Sequence, residues 1–175
     1  REDPEIFWVE PRMRAVIPLD EFRMSRSLRR TIRKGRYRVT CNEAFGAVIE
    51  ACAARRPRED DGESGSWISQ RIQASYEALH RAGYAHSIEC WNGEDLAGGL
   101  YGVGFDRVFC GESMFARQTD SSKVALAWLV AAMRDAGYEL LDCQFMTDHL
   151  ATMGATSIPQ SEYLEKLQAA RGEPK

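Results

Sequence analysis

Hydrophobic and polar positions recur along the chain with two different periods, and these periods divide it into predicted helices and strands. Apolar residues spaced three and four apart are typical of amphipathic helices, which we predict over residues 42–54, 70–82, 121–136 and 161–170. Alternating or short continuous apolar runs between turn residues are typical of strands, which we predict over residues 37–40, 86–91, 96–103, 107–111 and 139–145. Antiparallel strands followed by a helix and a returning strand predict an α+β fold with a mixed, mainly antiparallel sheet covered by helices.

Two stretches outside these elements have a distinct composition. Residues 1–22 contain three prolines among apolar residues, which predicts extended segments broken by turns. Residues 57–66 combine proline, glycine, serine and a cluster of acids, which predicts a surface loop. No apolar run approaches the length of a membrane span and no signal peptide is visible, so we expect a cytoplasmic protein that does not bind a membrane.

Positive charge is concentrated in one segment, although the formal net charge of the chain is -3. Ser25 can cap a helix in this segment, whose apolar positions Leu28 and Ile32 lie four residues apart. The segment contains eight basic residues and no acid: Arg23, Arg26, Arg29, Arg30, Arg33, Lys34, Arg36 and Arg38. Two interpretations stay open, a solvated helix face or a binding site for phosphate groups.

Cysteine and histidine form neither a disulfide pattern nor a metal-binding pattern. The five cysteines are odd in number and include no CxxC pair, so we expect reduced thiols, mostly buried. No two of His80, His86 and His149 have the i, i+4 spacing of a histidine metal site. We therefore expect no metal ion.

Three acids occur inside or beside predicted strands, where a carboxylate needs either a polar partner or a function. Glu89 alternates with apolar neighbours, so we expect it on the polar face of its strand. Glu112 and Asp142 are predicted at strand ends, where side chains of neighbouring strands meet in a cleft. Gln144 follows Asp142 by two residues, so alternation predicts that both point to the same face. A buried hydrogen-bonded network and a functional site both fit this pattern.

Short motifs follow one another along the chain, from about Phe7 to the final helix. They are Ser25-Arg26-Ser27-Leu28, Tyr37-Arg38-Val39-Thr40, Trp67-Ile68, Ala85-His86-Ser87-Ile88-Glu89, Gly98-Gly99-Leu100-Tyr101-Gly102-Val103, Phe109-Cys110-Gly111-Glu112-Ser113-Met114-Phe115, Ser122-Lys123, Leu141-Asp142-Cys143-Gln144, Asp148-His149 and Met153-Gly154-Ala155. In residues and order these motifs resemble those of one known family, the leucyl/phenylalanyl-tRNA-protein transferases. So many matches in one order argue against chance similarity.

The resemblance implies a GNAT-type acyltransferase fold, with residues 23–175 as the aminoacyl-transferase domain and residues 1–22 as the remnant of a small N-terminal domain. It implies transfer of leucine or phenylalanine, and weakly of methionine, from charged tRNA to the α-amine of proteins that begin with Arg or Lys. Such transfer marks proteins for degradation by the bacterial N-end rule. The resemblance implies no metal and no organic cofactor, and we expect a monomer.

The resemblance also assigns roles to residues. Asp142 and Gln144 would act near the reacting amine, and Glu112 would hold the cationic acceptor terminus. The pocket for the donor side chain would be lined by Leu100, Phe109, Ser113, Leu129 and Leu141. The apolar members of this set are equally credible as ordinary core. Trp67 would lie near the terminal adenosine, and Trp8 is placed with the substrate-binding residues, although packing explains Trp8 more simply. The tRNA backbone would be bound by Arg26, Arg29, Arg30, Arg33 and Lys34.

Two other functions compete with this one. The first is an acetyl-CoA-dependent N-acetyltransferase of the same fold, which commonly has a glycine-containing pyrophosphate loop before its central helix. No such loop precedes Ser121. The second is an inactive tRNA-binding module, against which the presence of Asp142, Gln144 and Glu112 argues.

Overall fold

A computed structural model describes residues 10–54 and 62–174. For residues 62–69 it describes the backbone alone. Its strands are β1 (Met13–Pro18), β2 (Arg38–Cys41), β3 (Ala85–Asn92), β4 (Asp95–Phe105), β5 (Val108–Ala116), β6 (Leu140–Gln144) and β7 (Thr156–Pro159). These strands form one sheet in the order β2-β3-β4-β5-β6-β1-β7. Only the β5–β6 pair is parallel among the pairs of this sheet.

Helices cover both faces of the sheet. They are α1 (Arg26–Arg33), α2 (Phe45–Ala54), α3 (Gly62–Arg81), α4 (Ser121–Asp135), α5 (Asp148–Thr152) and α6 (Gln160–Ala169), with a 3-10 turn at Leu19–Glu21. Neighbouring residues on β4 belong to different cores: Leu100 packs with α4 residues and Tyr101 packs with α2 residues. Because side chains alternate between the faces of a strand, α4 and α2 lie on opposite faces. The predicted α+β fold, with a mixed, mainly antiparallel sheet covered by helices, is confirmed. Its assignment to the GNAT type stays a prediction.

The parallel pair at the middle of the sheet is short. It joins Val108 to Leu140, Phe109 to Leu141 and Cys110 to Asp142, and pairing stops there. β5 continues to Ala116, whereas β6 ends only two residues later, at Gln144. The central strands therefore separate just beyond Asp142, and this opening positions the candidate site.

β5 carries a bulge at the same level. Tyr101 of β4 pairs with Ser113, and Gly102 pairs with Gly111, so Glu112 is the extra residue on the bulged strand, β5. A side chain at Gly102 could not fit, because its Cβ would lie 2.2 Å from the Cys110 carbonyl oxygen. The bulge gives Glu112 a position outside the regular β4–β5 ladder.

Two sequence predictions about element boundaries are wrong. The strand predicted over residues 107–111 continues to Ala116, so Glu112 lies within β5 and not at its end. The loop predicted over residues 57–66 is helical from Gly62 onward, because α3 begins there. Residues 57–61 of this stretch lie outside the described residues.

The segment before residue 23 contributes directly to the sheet. β1 lies between β6 and β7 and is antiparallel to both. Val16 and Ile17 on it are fully buried. The origin of residues 1–22 as the remnant of a separate domain stays a prediction. Across the described ranges, the helices are too short or too polar to cross a membrane.

All five cysteines lie in the described part of the chain, and none of them forms a disulfide there. Burial and the charge of Glu89 raise the pKa of Cys90 to about 12, and burial with the charge of Asp142 raises that of Cys143 to about 12. Cys41 is exposed, which differs from the buried placement expected for most of them.

Candidate active site

Asp142 is a fully buried carboxylate at the point where β5 and β6 separate. The Arg14 guanidinium and the Tyr163 hydroxyl each donate to its Oδ2 at 2.5 Å, and the Cys110 thiol donates to the same atom at 3.5 Å. The backbone N–H of Gln144 donates to Oδ1 at 2.8 Å. A buried carboxylate is tolerated when it is paired and hydrogen-bonded, and these four donors meet that condition.

The groups around Asp142 hold their protons. Burial by itself would lower the pKa of Arg14, but the hydrogen bond to Asp142 and the attraction of its charge outweigh that effect and raise it. Burial, the hydrogen bond to Asp142 and its charge raise the pKa of Tyr163. Burial and Asp142 likewise raise the pKa of Cys110. Asp142 is therefore surrounded by donors that stay donors at physiological pH.

Gln144 leaves the extended conformation at the end of β6. Its φ is +65°, in the left-handed region, which costs a residue with a side chain roughly 1–2 kcal/mol. The bond from its N–H to Asp142 Oδ1 is the kind by which an aspartate stabilises a turn two residues onward. The alternation that predicts Asp142 and Gln144 on one face does not continue through this residue, and the two side chains have different partners.

The Gln144 side chain bridges the two separated strands. Its Nε2 donates to the Gly111 carbonyl oxygen and to Glu112 Oε2, both at 3.1 Å. Both partners can only accept, so the amide nitrogen must face them and Oε1 must face the other way. None of the hydrogen bonds within the described residues uses Oε1. Gln144 thus presents one acceptor atom beside the half-buried carboxylate of Glu112.

Glu89, the third acid, lies away from this site, and the prediction that it faces the polar side of its strand is wrong. Glu89 is fully buried and does not lie on a polar face. Its carboxylate accepts from the hydroxyls of Thr40 and Ser87 at 2.7 and 2.6 Å, and from the backbone N–H of Ala44 at 3.0 Å. Ala44 directly precedes α2, so Glu89 caps that helix from a neighbouring strand. The alternation argument fails here because helices cover both faces of β3.

The apolar residues assigned to the donor pocket are close together. Leu100, Phe109, Leu129 and Leu141 are all buried in one hydrophobic cluster, and Ser113 on β5 is partly exposed. These four buried residues join three strands and α4, as a pocket wall requires. Ser113 instead pairs with Tyr101, so the register places its side chain on the opposite face of the sheet, with the α2 core. Core packing accounts for the same contacts, so their role as a pocket stays a prediction.

The side chains of the two tryptophans assigned to substrate binding lie outside the described structure. Trp8 lies outside the described residues, and Trp67 lies in α3 at a position whose side chain is outside the description. Their role stays a prediction.

The basic helix forms as predicted. Ser25 caps α1 by accepting from the Leu28 N–H at 3.0 Å, and Leu28 is buried. The cationic side chains assigned to tRNA are exposed: Arg26, Arg29, Arg30, Arg33 and Lys34. In the part of the chain that is described, none of them forms an ion pair with an acid. Their charge is available to an external anion.

The start of α4 is a poor site for a pyrophosphate. Its N-cap residue is Asp120, whose φ is +62° and whose carboxylate lies 3.9 Å from the Lys123 ammonium. Helix N-termini attract anions through free N–H groups and the helix dipole, but here the N-cap residue is itself an acid, whose charge repels an anion although its side chain makes no capping hydrogen bond. Among the side chains that the structure describes, no group of three or more acidic, cysteine or histidine residues could hold a metal ion.

Sequence reasoning missed Arg14 and Tyr163. Arg14 is the one charged residue in the β1 sequence Met-Arg-Ala-Val-Ile-Pro, and this isolation inside an apolar run was a signal for a buried partner. Tyr163 lies on the helical face of α6 that packs on the sheet, where a tyrosine reads as ordinary core. Only the fold shows that both reach Asp142.

Sequence comparison finds one family across nearly the whole chain. The profile of the family described as leucyl/phenylalanyl-tRNA protein transferase matches residues 16–168. A leucyl/phenylalanyl-tRNA–protein transferase from Novosphingobium aromaticivorans is 64% identical over 171 residues, which cover 98% of this chain and 64% of that protein. One of the same name from Rhizorhabdus wittichii is 51% identical over 172 residues, which cover 98% of this chain and 68% of that protein. The chain thus spans about two thirds of the length of these relatives.

Structure comparison agrees with the fold. A functionally unknown conserved protein from Staphylococcus epidermidis superimposes with a TM-score of 0.54 and 10% identity, covering 84% of this chain and 57% of that one. At this identity the likeness concerns the fold alone.

Proposed function

Because this chain belongs to the leucyl/phenylalanyl-tRNA protein transferase family, we propose that it transfers an aminoacyl group from charged tRNA to the α-amine of a protein. The donors are leucine and phenylalanine, with methionine weaker, and the acceptors are proteins that begin with Arg or Lys. Transfer marks these proteins for N-end rule degradation in the cytoplasm, and the enzyme acts as a monomer. The observation that carries the proposal is the Gln144 bridge to Glu112, where β5 and β6 separate.

An aminoacyl ester is already activated, so the enzyme needs no covalent nucleophile. Its task is to hold the acceptor amine against the ester carbonyl, which converts a bimolecular step into a unimolecular one. The amine nitrogen bonds to the carbonyl carbon, the ester C–O bond breaks, and the terminal ribose oxygen leaves with a proton equivalent to the one that the amine loses. The reaction consumes no cofactor.

Gln144 orients the amine in this scheme. Its Oε1 accepts an N–H of the incoming amine and so directs the nitrogen lone pair at the carbonyl, while its Nε2 stays on Glu112. The Glu112 carboxylate attracts the cationic terminus of an acceptor that begins with Arg or Lys.

Asp142 does not take the amine proton directly. It is fully buried, and four donors already contact its two oxygens. A glutamine is a poor proton acceptor as well. Asp142 therefore acts by holding Gln144, not by carrying a proton between substrates.

The donor side chain fits against the apolar cluster that contains Leu100, Phe109, Leu129 and Leu141. One methylene in such a pocket changes the free energy of the transition state by about 1–3 kcal/mol. The proposal is therefore a preference among large apolar side chains, and alanine, which lacks most of the contact area, should be transferred poorly.

The tRNA backbone binds to the exposed face of α1. Arg26, Arg29, Arg30, Arg33 and Lys34 supply positive charge without internal partners in the described structure. Phosphate contacts position a nucleic acid without reading its sequence. Binding should therefore weaken with salt and vary little with the tRNA body.

A matrix of donors and acceptors tests the proposal. The donors are Leu-, Phe-, Met- and Ala-tRNA and acetyl-CoA, and the acceptors are peptides that begin with Arg, Lys or Glu. The expected products are Leu- and Phe-peptides from the Arg and Lys acceptors, with Ala transferred at least about 10-fold more slowly than Leu. Equal transfer of Ala and Leu would contradict the donor pocket. Acetyl transfer in place of aminoacyl transfer, or tRNA binding without transfer, would overturn the proposed function.

A further inference from the structure

Asp142 is held by two residues that come from distant parts of the chain. Arg14 is on β1 and Tyr163 is on α6, and both donate to Oδ2 at 2.5 Å. The Arg14 guanidinium also lies 4.8 Å from the centre of the Tyr163 ring, in a cation–π contact. Each of the two partners thus restrains the other as well as Asp142.

This arrangement fixes Oδ2 of Asp142 and leaves Oδ1 to accept from Gln144. With Oδ2 occupied, Oδ1 accepts only the backbone N–H of Gln144 among the described residues. That N–H belongs to a residue in the left-handed region, φ +65°. A strained backbone of this kind persists only where its surroundings hold it, and the Asp142 side chain provides that hold.

The position of Gln144 in turn sets the position of its side chain. The left-handed turn carries the amide across to β5, where Nε2 meets Gly111 and Glu112. In the proposed function Gln144 contacts the reacting amine, and Asp142 contacts Gln144. A shift of Asp142 therefore displaces the group that orients the amine, although Asp142 itself is buried.

We propose that Arg14 and Tyr163 are positioning residues for aminoacyl transfer, which hold Asp142 so that the left-handed backbone of Gln144 keeps its side-chain amide at Glu112. This inference rests on the proposed function for its catalytic consequence. Its structural content, that Tyr163 controls the environment of the Gln144 N–H, can be measured without turnover.

Tyr163→Phe is the decisive variant, because it removes the hydroxyl and keeps the ring that packs in the core and faces Arg14. Tyr138→Phe is the matched control, since Tyr138 is a partly buried tyrosine at Gly104, away from Asp142. In Tyr163→Phe, kcat for leucine transfer should fall about 10-fold or more, as the loss of a hydrogen bond to a charged group predicts. KM for Leu-tRNA should stay within about twofold. Tyr138→Phe should change neither value.

The second measurement is the backbone amide signal of Gln144 in a nitrogen–proton NMR spectrum. In Tyr163→Phe the chemical shift of this signal should change and the amide proton should exchange faster with solvent. In Tyr138→Phe both should stay as in the wild type. An unmoved signal together with an unchanged kcat in a folded Tyr163→Phe protein would overturn the inference. If the wild type transfers nothing, the proposed function fails, and the amide signal alone decides whether the positioning is real. Arg14→Lys, which keeps the charge but loses the planar guanidinium, should show the same pattern, so failure of Tyr163→Phe to fold does not remove the test.

Discussion

The side-chain amide of Gln144 donates to the Glu112 carboxylate at 3.1 Å and so connects β6 to β5 where these strands no longer pair. One side chain replaces the backbone ladder at this level. It also places an amide oxygen and a carboxylate next to each other at the opening of the sheet. A neutral acceptor and a negative charge together suit an amine that arrives with a cationic side chain.

The charge of Glu112 should matter for the acceptor and not for the donor. Glu112→Gln keeps an oxygen that can accept from Gln144 but removes the negative charge. We expect KM for an Arg-initiated peptide to rise about 10-fold, the scale of a lost charge-assisted contact, with KM for Leu-tRNA unchanged. Steady-state kinetics with each substrate varied separately measures this.

Glu162→Gln is the control for the same change of charge, because Glu162 is exposed on α6. It should leave both KM values unchanged. An equal rise of both KM values in Glu112→Gln would assign Glu112 to general folding and not to the acceptor.

Because the backbone of Gln144 is left-handed, two substitutions there should differ in stability although both abolish activity. Glycine adopts φ +65° without strain, whereas alanine does not. Gln144→Gly should therefore be more stable than Gln144→Ala by about 1 kcal/mol, as measured by urea unfolding. Both variants should lose transfer, because both lack the amide. Equal stability of the two would show that the left-handed turn is not strained.

The exposed cations of α1 should determine the salt dependence of tRNA binding. The double variant Arg29→Ala, Arg33→Ala removes two positive charges one helical turn apart. If both contact phosphates, the slope of log K against log salt should become shallower by about 1.4 to 1.8. Filter binding or fluorescence titration of Leu-tRNA at several salt concentrations measures the slope.

The matched control removes two charges elsewhere, at the exposed residues Arg81 and Arg171. Its slope should equal that of the wild type. If the slope became equally shallow in both double variants, net charge alone would explain the effect. If the slope did not change in the α1 double variant, α1 would not be part of the tRNA site.

The thiols should differ strongly in reactivity. Cys41 is exposed, whereas burial, with a nearby acid, raises the pKa of Cys90 and Cys143 to about 12. At pH 8 a thiol with that pKa has roughly a thousand times less thiolate than an ordinary one. Iodoacetamide should modify Cys41 first, and labelling of Cys90 and Cys143 should rise about 10-fold for each pH unit below their pKa.

Peptide mass spectrometry after timed labelling measures these rates, and the protein in urea is the control in which all five cysteines should react alike. Labelling of Cys90 or Cys143 as fast as Cys41 in the folded protein would contradict their burial.

Much of the fold follows from local patterns, because apolar periodicity decides which segments can bury a face. The α4 and α1 helices and the β3–β4 hairpin lie close to their predicted places. β7 was not predicted, since its sequence Thr-Ser-Ile-Pro is too short to alternate. The prediction for Glu89 is wrong because alternation assumes that one face of a strand is exposed to solvent, whereas helices cover both faces of β3.

The candidate site was predictable in part. Motif resemblance indicates Asp142, Gln144 and Glu112, but residue spacing cannot show that Arg14 and Tyr163 reach Asp142 from 128 and 21 residues away. It also cannot show a left-handed φ at Gln144, because glutamine carries no turn signal of its own. Both features arise from strand order and the early end of β5–β6 pairing.

The most direct test of the central claim is single-turnover transfer of labelled leucine from Leu-tRNA to a peptide that begins with Arg, measured side by side for the wild type and Gln144→Ala. The wild type should form the Leu-Arg peptide, and the folded variant should form it about 100-fold more slowly, because a misplaced amine loses that much rate. Transfer at the same rate by both proteins would contradict the role of the Gln144 bridge, and no transfer by the wild type would contradict the proposed function.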